Sequence, residues 1–189
     1  MTQRRAVSNE PSPRLLAEGK FVRVLSHRGW EWVERTTCSA AVVIVAVTDQ
    51  RQLLLVEQYR IPLGKRVIEL PAGLVGDLAD TKGEALAEAA RRELIEETGY
   101  QAETFERLLE GPSSSGLSNE VFTMMLAQNV RCVGPGGGDA TEEIEVHAVP
   151  LDMLHNWLGA KRRDGLLISP KIFAALYFLH RNGLGTKGV

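Results

Sequence analysis

Between Thr81 and Tyr100 the chain reads TKGEALAEAARRELIEETGY, and Arg92, Glu93, Glu96 and Glu97 fall within six positions of one another there. Alanine, leucine, glutamate and arginine, all good helix formers, fill the stretch. Leu86, Ala90 and Leu94 recur every four residues as an apolar stripe. Thr81 with Glu84 has the form of a capping box, and Gly99 supplies a C-terminal stop. The pattern predicts one helix. Residues three and four apart on a helix share a side, so Glu93, Glu96 and Glu97 present three carboxylates together. Such crowding drives carboxylates toward protonation unless a cation joins them. Mg²⁺ or Mn²⁺ meets that need, because hard divalent ions take oxygen ligands. A plain solvated face is the ordinary alternative for a Glu/Arg helix, and the completeness of the pattern argues against it.

Glu84, then seven residues, then Arg92-Glu93-Leu94-Ile95-Glu96-Glu97-Thr98-Gly99-Tyr100 resembles the signature of the Nudix hydrolases, E-x7-R-E-U-x-E-E-x-G-U with U apolar or aromatic. That signature opens with a glycine separated from its first glutamate by five residues, a place held here by Leu78. Here the nearest glycine of a matching turn is Gly73, with ten residues between it and Glu84. The difference reads as a five-residue insertion within Leu74 to Gly83, which alters a loop and spares the helix. The resemblance implies that Glu93 and Glu97 hold a divalent metal directly, with Glu96 as a further ligand or support. It also implies a ligand from the backbone carbonyl of Ala72, and a structural pair between Glu84 and Arg92.

A chain of 189 residues suffices for one domain with a real core. The net charge of −2 leaves no basic footprint, so no nucleic-acid partner is expected. The longest apolar run, Ala40 to Val47, is too short to span a membrane, and no membrane partner is expected. The first fourteen residues lack the apolar region of a secretory signal. Cys38 and Cys132 have no metal or redox spacing and are expected as free, buried thiols of a cytoplasmic protein.

Residues 1 to about 17 read as a loose tail. Phe21–Leu25 and Trp30–Arg35 read as two strands about a His27-Arg28-Gly29 turn. Trp30 and Trp32 then face one side, either against the core or a dimer partner, or with one stacked on a nucleobase. Ser39–Val47 reads as a strand buried on both faces, and Leu53–Tyr59 as its hairpin partner. Further strands are expected at Arg66–Leu70, Ala102–Leu109, Val121–Ala127 and Glu143–Pro150, and helices at Leu151–Gly159 and Pro170–Leu179. These elements form an α+β fold, and the family resemblance makes it an α/β/α sandwich on a mixed sheet. Residues 1–37 are assigned to an N-terminal tail and β-hairpin, with dimerisation and nucleobase contact as its candidate roles, and 38–189 to the catalytic domain.

Glu57-Gln58-Tyr59-Arg60 followed by Glu69-Leu70-Pro71-Ala72-Gly73 is similar to E-Q-[YF]-R…E-[LM]-P-A-G of the ADP-ribose and nucleoside-diphosphate-sugar pyrophosphatases. An arginine before a loop suits phosphate through its planar fork, although it is also an ordinary strand-end charge. Glu69 is either its partner or a neighbour of the metal. Ser113 to Glu120 lies where this subfamily carries S-P-G-x-S-x-E, with Ser115 in place of the proline, so a looser loop is expected. Ser115, Gly116 and Glu120 are candidate substrate contacts, Glu120 alternatively a metal or water neighbour or a surface charge. The subfamily's general base is a glutamate on a late loop, which here implies Glu142 or, second, Glu143. The preceding Gly136-Gly137-Gly138 is expected to let that loop close. Glu145 is expected to face solvent and His147 to be structural.

The resemblance implies a Mg²⁺-dependent, homodimeric hydrolase of ADP-ribose or related nucleotide sugars. Another nucleoside-diphosphate derivative is the alternative substrate. A nucleotide-sensing Nudix-fold module is disfavoured, because such modules usually lose the signature glutamates that this chain keeps.

Overall fold

The computed structural model describes residues 12–38, 40–76, 85–138 and 143–184. Strands β1 (Arg14–Glu18), β2 (Val22–His27) and β3 (Trp30–Arg35) form an antiparallel sheet of their own. Arg14–Glu18, expected to belong to the loose tail, is therefore ordered as a strand. It pairs with β2, with a bulge between Leu15 and Ala17.

The main sheet is built on β4 (Ala40–Thr48), whose Val42 to Ala46 are at most 1% exposed. Its run of β-branched residues suits a strand with core on both faces. The path through the sheet is β12 (Leu167–Ile168), β6 (Lys65–Glu69), β5 (Gln52–Arg60), β4, β10 (Val121–Cys132) and β8 (Tyr100–Gln101). Three strands pair off that path: β11 (Ile144–Pro150) on β5, β7 (Ala72–Leu74) on β4, and β9 (Thr104–Pro112) on β10. The β4–β10 pair is parallel and the β4–β5 pair antiparallel, so the sheet is mixed as expected.

Helix α1 (Leu86–Thr98) covers one face, and α2 (Leu154–Arg163) with α3 (Lys171–Arg181) covers the other. Val42, Ile44, Ala46 and Leu54 pack toward Ala89, Ala90 and Leu94 of α1. Val43, Val45, Leu53 and Leu55 pack toward Leu154, Leu158, Ile172 and Leu179. The alternation of side chains along each strand makes both cores from the same strands.

One expected hairpin is only partly formed. β4 and β5 share a single pair, Val47 with Leu53, and then part. β7 fills the gap, with Ala72 against Val43, Gly73 against Val42 and Leu74 against Ala41. The Ile44 amide donates to the carbonyl of Pro71 at 2.8 Å. This splay is where the Pro71-Ala72-Gly73 turn enters the sheet, facing α1.

The helix begins later than the capping box suggests. Its N-cap is Ala85, in extended conformation and without a side-chain cap, while Thr81 and Glu84 lie outside the described residues. Gly99 ends it in the left-handed region at φ 73°, as expected. Cys132 is exposed rather than buried, and Cys38 is half-buried. Among the described residues, no helix is long and apolar enough to cross a membrane.

Candidate active site

Helix α1 meets the β7 turn through its acidic side. Glu97 is 4% exposed, and its Oε2 accepts the Ala72 amide at 3.1 Å. One turn earlier, Glu93 lies against Gly73: a Cβ at residue 73 would stand 1.9 Å from the Glu93 carboxyl carbon. Only glycine lets that carboxylate occupy its place. Arg92 donates from Nη1 to Glu93 Oε1 at 2.7 Å and to Glu96 Oε2 at 3.3 Å, and from Nη2 to the Leu74 carbonyl at 3.2 Å. It thereby ties the strand after the turn to the helix. Its expected partner Glu84 lies outside the described residues. The Glu96 side chain is 52% exposed, at the margin of the group.

Glu93, Glu97 and Ala72 thus converge. Two carboxylates beside a backbone turn, one of them almost wholly buried, form an oxygen donor set suited to a hard divalent cation. Enzymes of the Nudix family use such a cation, and the residues present fit it.

Arg60 and Glu69 lie on the α1 face of the sheet by the alternation along β5 and the Val56–Glu69 register. Arg60 Nε donates to Glu69 Oε2 at 2.6 Å, so Glu69 is the partner of that arginine. The pair is part-exposed, with Arg60 40% accessible.

Trp30, Trp32, Ser115, Gly116, Ser118 and Asn119 line an open cleft of about 280 Å³. It brings together four residues singled out for substrate binding from distant parts of the sequence. Trp30 is 66% exposed. Glu120 is not open: Arg35 Nε donates to its Oε2 at 2.5 Å and Ser113 Oγ to its Oε1 at 2.7 Å. Burial raises the Glu120 pKa, but the bonds from Arg35 and Ser113 outweigh it and the net shift is downward.

The glycine loop differs from the expected hinge. Gly137 and Gly138 donate their amides to the carbonyls of Glu97 and Glu96, at 2.8 and 3.0 Å. The amides of Val133 and Gly134 donate to the Gly99 carbonyl at 2.8 and 3.0 Å. The loop is thus a cap on the C-terminus of α1, satisfying carbonyls that a helix end leaves open. Beyond it Glu143 is exposed, and Glu142 lies outside the described residues.

A second polar centre, missed from sequence, lies on the opposite face. Glu57 accepts from Arg66 Nε at 2.6 Å and from Lys161 Nζ at 2.7 Å, and pairs with His147 Nε2 at 3.0 Å. Glu57, Glu145 and His147 offer ligand atoms within 4.8 Å of one another. Arg66 and Lys161 already balance the Glu57 charge, so a divalent ion would have to displace them. His147 also packs edge-on against Trp157. The sequence signal was Glu57 directly after the apolar run Leu53–Val56, a charge two residues beyond the core residue Leu55.

Burial raises the Glu57 pKa, but the hydrogen bonds from Lys161, Arg66 and His147 win and lower it to about 2, from 4.5. A depressed carboxylate pKa stabilises the folded state above the unfolded value and loses that contribution as pH falls through the folded one. Lowering the pH from about 4.5 to about 2 should therefore remove stability on the order of 3 kcal/mol. Denaturant midpoints across that range should show the loss, and Glu57→Gln should flatten the slope. An equal acid slope in the variant would refute the assignment.

The family model of the NUDIX domain matches residues 38–168. The chain is 34% identical over 123 residues to the methanol dehydrogenase activator of Bacillus methanolicus, covering 65% of this chain and 64% of that protein. It is 38% identical over 117 residues to the ADP-ribose pyrophosphatase of Mycobacterium tuberculosis, covering 62% and 51%. The chain thus spans between about half and two thirds of the length of these relatives. The match to the mouse ADP-sugar pyrophosphatase is longer, 34% identical over 197 residues, 90% of this chain and 87% of that one. The fold is similar to a solved ADP compounds hydrolase, with TM-score 0.59 and 23% identity over 79% of this chain and 84% of the other. With the matched stretch running from the start of the central strand past the helix whose Glu93 and Glu97 meet the Ala72–Gly73 strand, this chain belongs to the Nudix family.

Proposed function

We propose that the protein hydrolyses the pyrophosphate bond of ADP-ribose or a related nucleoside-diphosphate sugar, releasing a nucleoside monophosphate and a sugar phosphate. The observation that carries this reading is the convergence of Glu93 and Glu97 of α1 on the Ala72–Gly73 turn, on the face of the sheet that bears Arg60. The names of the mycobacterial and mouse relatives support the substrate class.

The substrate's diphosphate lies toward Arg60, whose orientation Glu69 holds from behind. Glu93 and Glu97 with the Ala72 carbonyl hold the divalent ion, proposed as Mg²⁺, and Glu96 supports them. When bound, that ion neutralises phosphate charge and polarises the attacked phosphoryl group. A water oxygen forms a bond to one phosphorus, and the bond from that phosphorus to the bridging oxygen breaks. The bridging oxygen leaves on the other phosphate. One proton of the water passes to a loop glutamate, Glu142 or Glu143, and the other stays on the new phosphate. The nucleobase end lies in the Trp30–Trp32 cleft, where stacking favours any base through its π-face.

The exposed Leu15, Phe21, Val22 and Trp30 of the N-terminal sheet support a homodimer formed through residues 12–37, ahead of a catalytic domain from about residue 38. A monomeric mass in sedimentation at micromolar concentration would exclude it. Two cysteines outside any disulfide favour a reducing compartment, the cytoplasm, which cell fractionation can check.

Incubation with Mg²⁺ and a panel of ADP-ribose, ADP-sugars and GDP-sugars should release nucleoside monophosphate. Rates should lie within roughly a hundredfold of one another, since stacking reads no base edge. No release from any member, with Mg²⁺ or Mn²⁺, would overturn the reading.

A further inference from the structure

We propose that Arg35 is a positioning residue for the substrate cleft, tying the Ser113–Glu120 loop to β3 and so setting the gap between the two cleft walls. The proposal rests on the reading of that cleft as the nucleotide-binding end of a pyrophosphatase.

The cleft has one wall on β3, where Trp30 and Trp32 stand, and another on the loop, with Ser115, Gly116, Ser118 and Asn119. The loop wall has little means of holding itself. Its sequence, SSSGLSNE, is rich in serine and contains a glycine, and Ser113 to Leu117 are all exposed. Internal bonds close only its neck and one turn. Ser113 donates its amide to the Glu120 carbonyl at 3.0 Å, and the amides of Leu117 and Ser118 donate to the Ser114 carbonyl at 2.9 Å.

The remaining ties come from three consecutive residues of β3. The Val33 amide donates to the Leu117 carbonyl at 2.8 Å. Glu34 Oε1 accepts from Asn119 Nδ2 at 2.8 Å, while its Oε2 is held by Arg23 of β2 at 2.7 Å. Arg35 Nε meets Glu120 Oε2 at 2.5 Å. Glu120 has both oxygens engaged, by Arg35 and by Ser113. It therefore acts as the loop's clasp, in place of the metal or water neighbour that its sequence position suggested. The tie also answers the replacement of the expected proline by Ser115: rigidity comes from β3 rather than from a fixed φ.

The Arg35 side chain is 36% accessible and Glu120 20%. A partly exposed ion pair adds little to global stability. Its loss instead frees a Ser/Gly loop that must then be ordered on each binding event, and that cost appears in affinity. Arg35 touches no reacting atom, so the chemical step is spared.

Arg35→Ala should accelerate amide hydrogen exchange at Leu117 and Ser118 in the ligand-free protein. It should raise KM for ADP-ribose by about tenfold with kcat within about threefold. Arg35→Lys, which keeps the charge, should recover most of the KM and the protection. Glu34→Gln, which weakens the neighbouring tie through Asn119, should shift KM in the same direction and keeps the question open if Arg35→Ala does not fold. Unchanged exchange in Arg35→Ala overturns the proposal, as does faster exchange with unchanged KM, or a loss confined to kcat. Absence of turnover in the wild type would instead remove the pyrophosphatase reading, and the exchange measurement still decides whether Arg35 holds the loop.

Discussion

Glu97→Gln should lower kcat by roughly a thousandfold, about 4 kcal/mol of lost transition-state stabilisation, while the protein keeps its fold. The Glu97 carboxylate is 4% exposed and receives the Ala72 amide through Oε2. Glutamine has nearly the same shape and still offers an oxygen to that amide, so the packing against β7 survives. What it lacks is the charge. On the proposed mechanism that charge holds the divalent ion against the diphosphate, and a neutral amide is a poor ligand for a hard cation. Removing one of two neighbouring carboxylates also relieves their repulsion in the metal-free protein, so its thermal midpoint should stay level or rise. Steady-state kinetics at saturating Mg²⁺, paired with a melting curve without metal, separates the two effects. A variant that keeps most of its activity would show that Glu97 does not hold the metal. One that loses activity only because it unfolds would show that its role is structural.

A comparable loss, this time of stability, is expected where the glycine loop crosses the end of α1. Gly136 has φ 66°, and a Cβ there would stand 2.2 Å from the Thr98 carbonyl carbon and 2.5 Å from the Gly99 nitrogen. Both are backbone atoms of the helix end and cannot swing aside. The opposing Gly99, at φ 73°, is held as closely by the Gly134 carbonyl. Gly136→Ala therefore combines left-handed strain with overlap against rigid atoms, for about 3 kcal/mol of destabilisation. For a chain of this size that corresponds to a fall in Tm of about 10 °C. Separation of the loop from the helix would also release the amides of Gly137 and Gly138 from Glu97 and Glu96. Those bonds anchor the segment leading to Glu143, so kcat should fall as well. A Tm within about 2 °C of the wild type would show that the loop readily moves away from the helix.

Much of the chemistry was legible in local pattern. Spacing alone places Glu93 and Glu97 on one side of a helix, because 3.6 residues per turn is a local property. Short apolar runs find the long strands β4, β5 and β10 for the same reason. The Arg60–Glu69 pair was one of two readings open in the sequence, and the register of β5 on β6 selects it.

What the sequence could not reveal depends on contacts between distant segments. The short strands β7, β8 and β12 have no periodicity to read, and they exist because a neighbour offers an edge. The glycine run looks like a hinge in isolation; only its approach to Thr98 and Gly99 makes it a cap. Serine in place of proline looks like looseness until Val33, Glu34 and Arg35 are seen to hold the loop. The partners of Glu57 come from β6, β11 and α2, up to 104 residues away. The sequence by itself determined which residues carry charge and on which side of their own element they stand. The tertiary structure decided which of those charges meet, because ion pairs and close backbone contacts act over a few ångströms and take no account of separation along the chain.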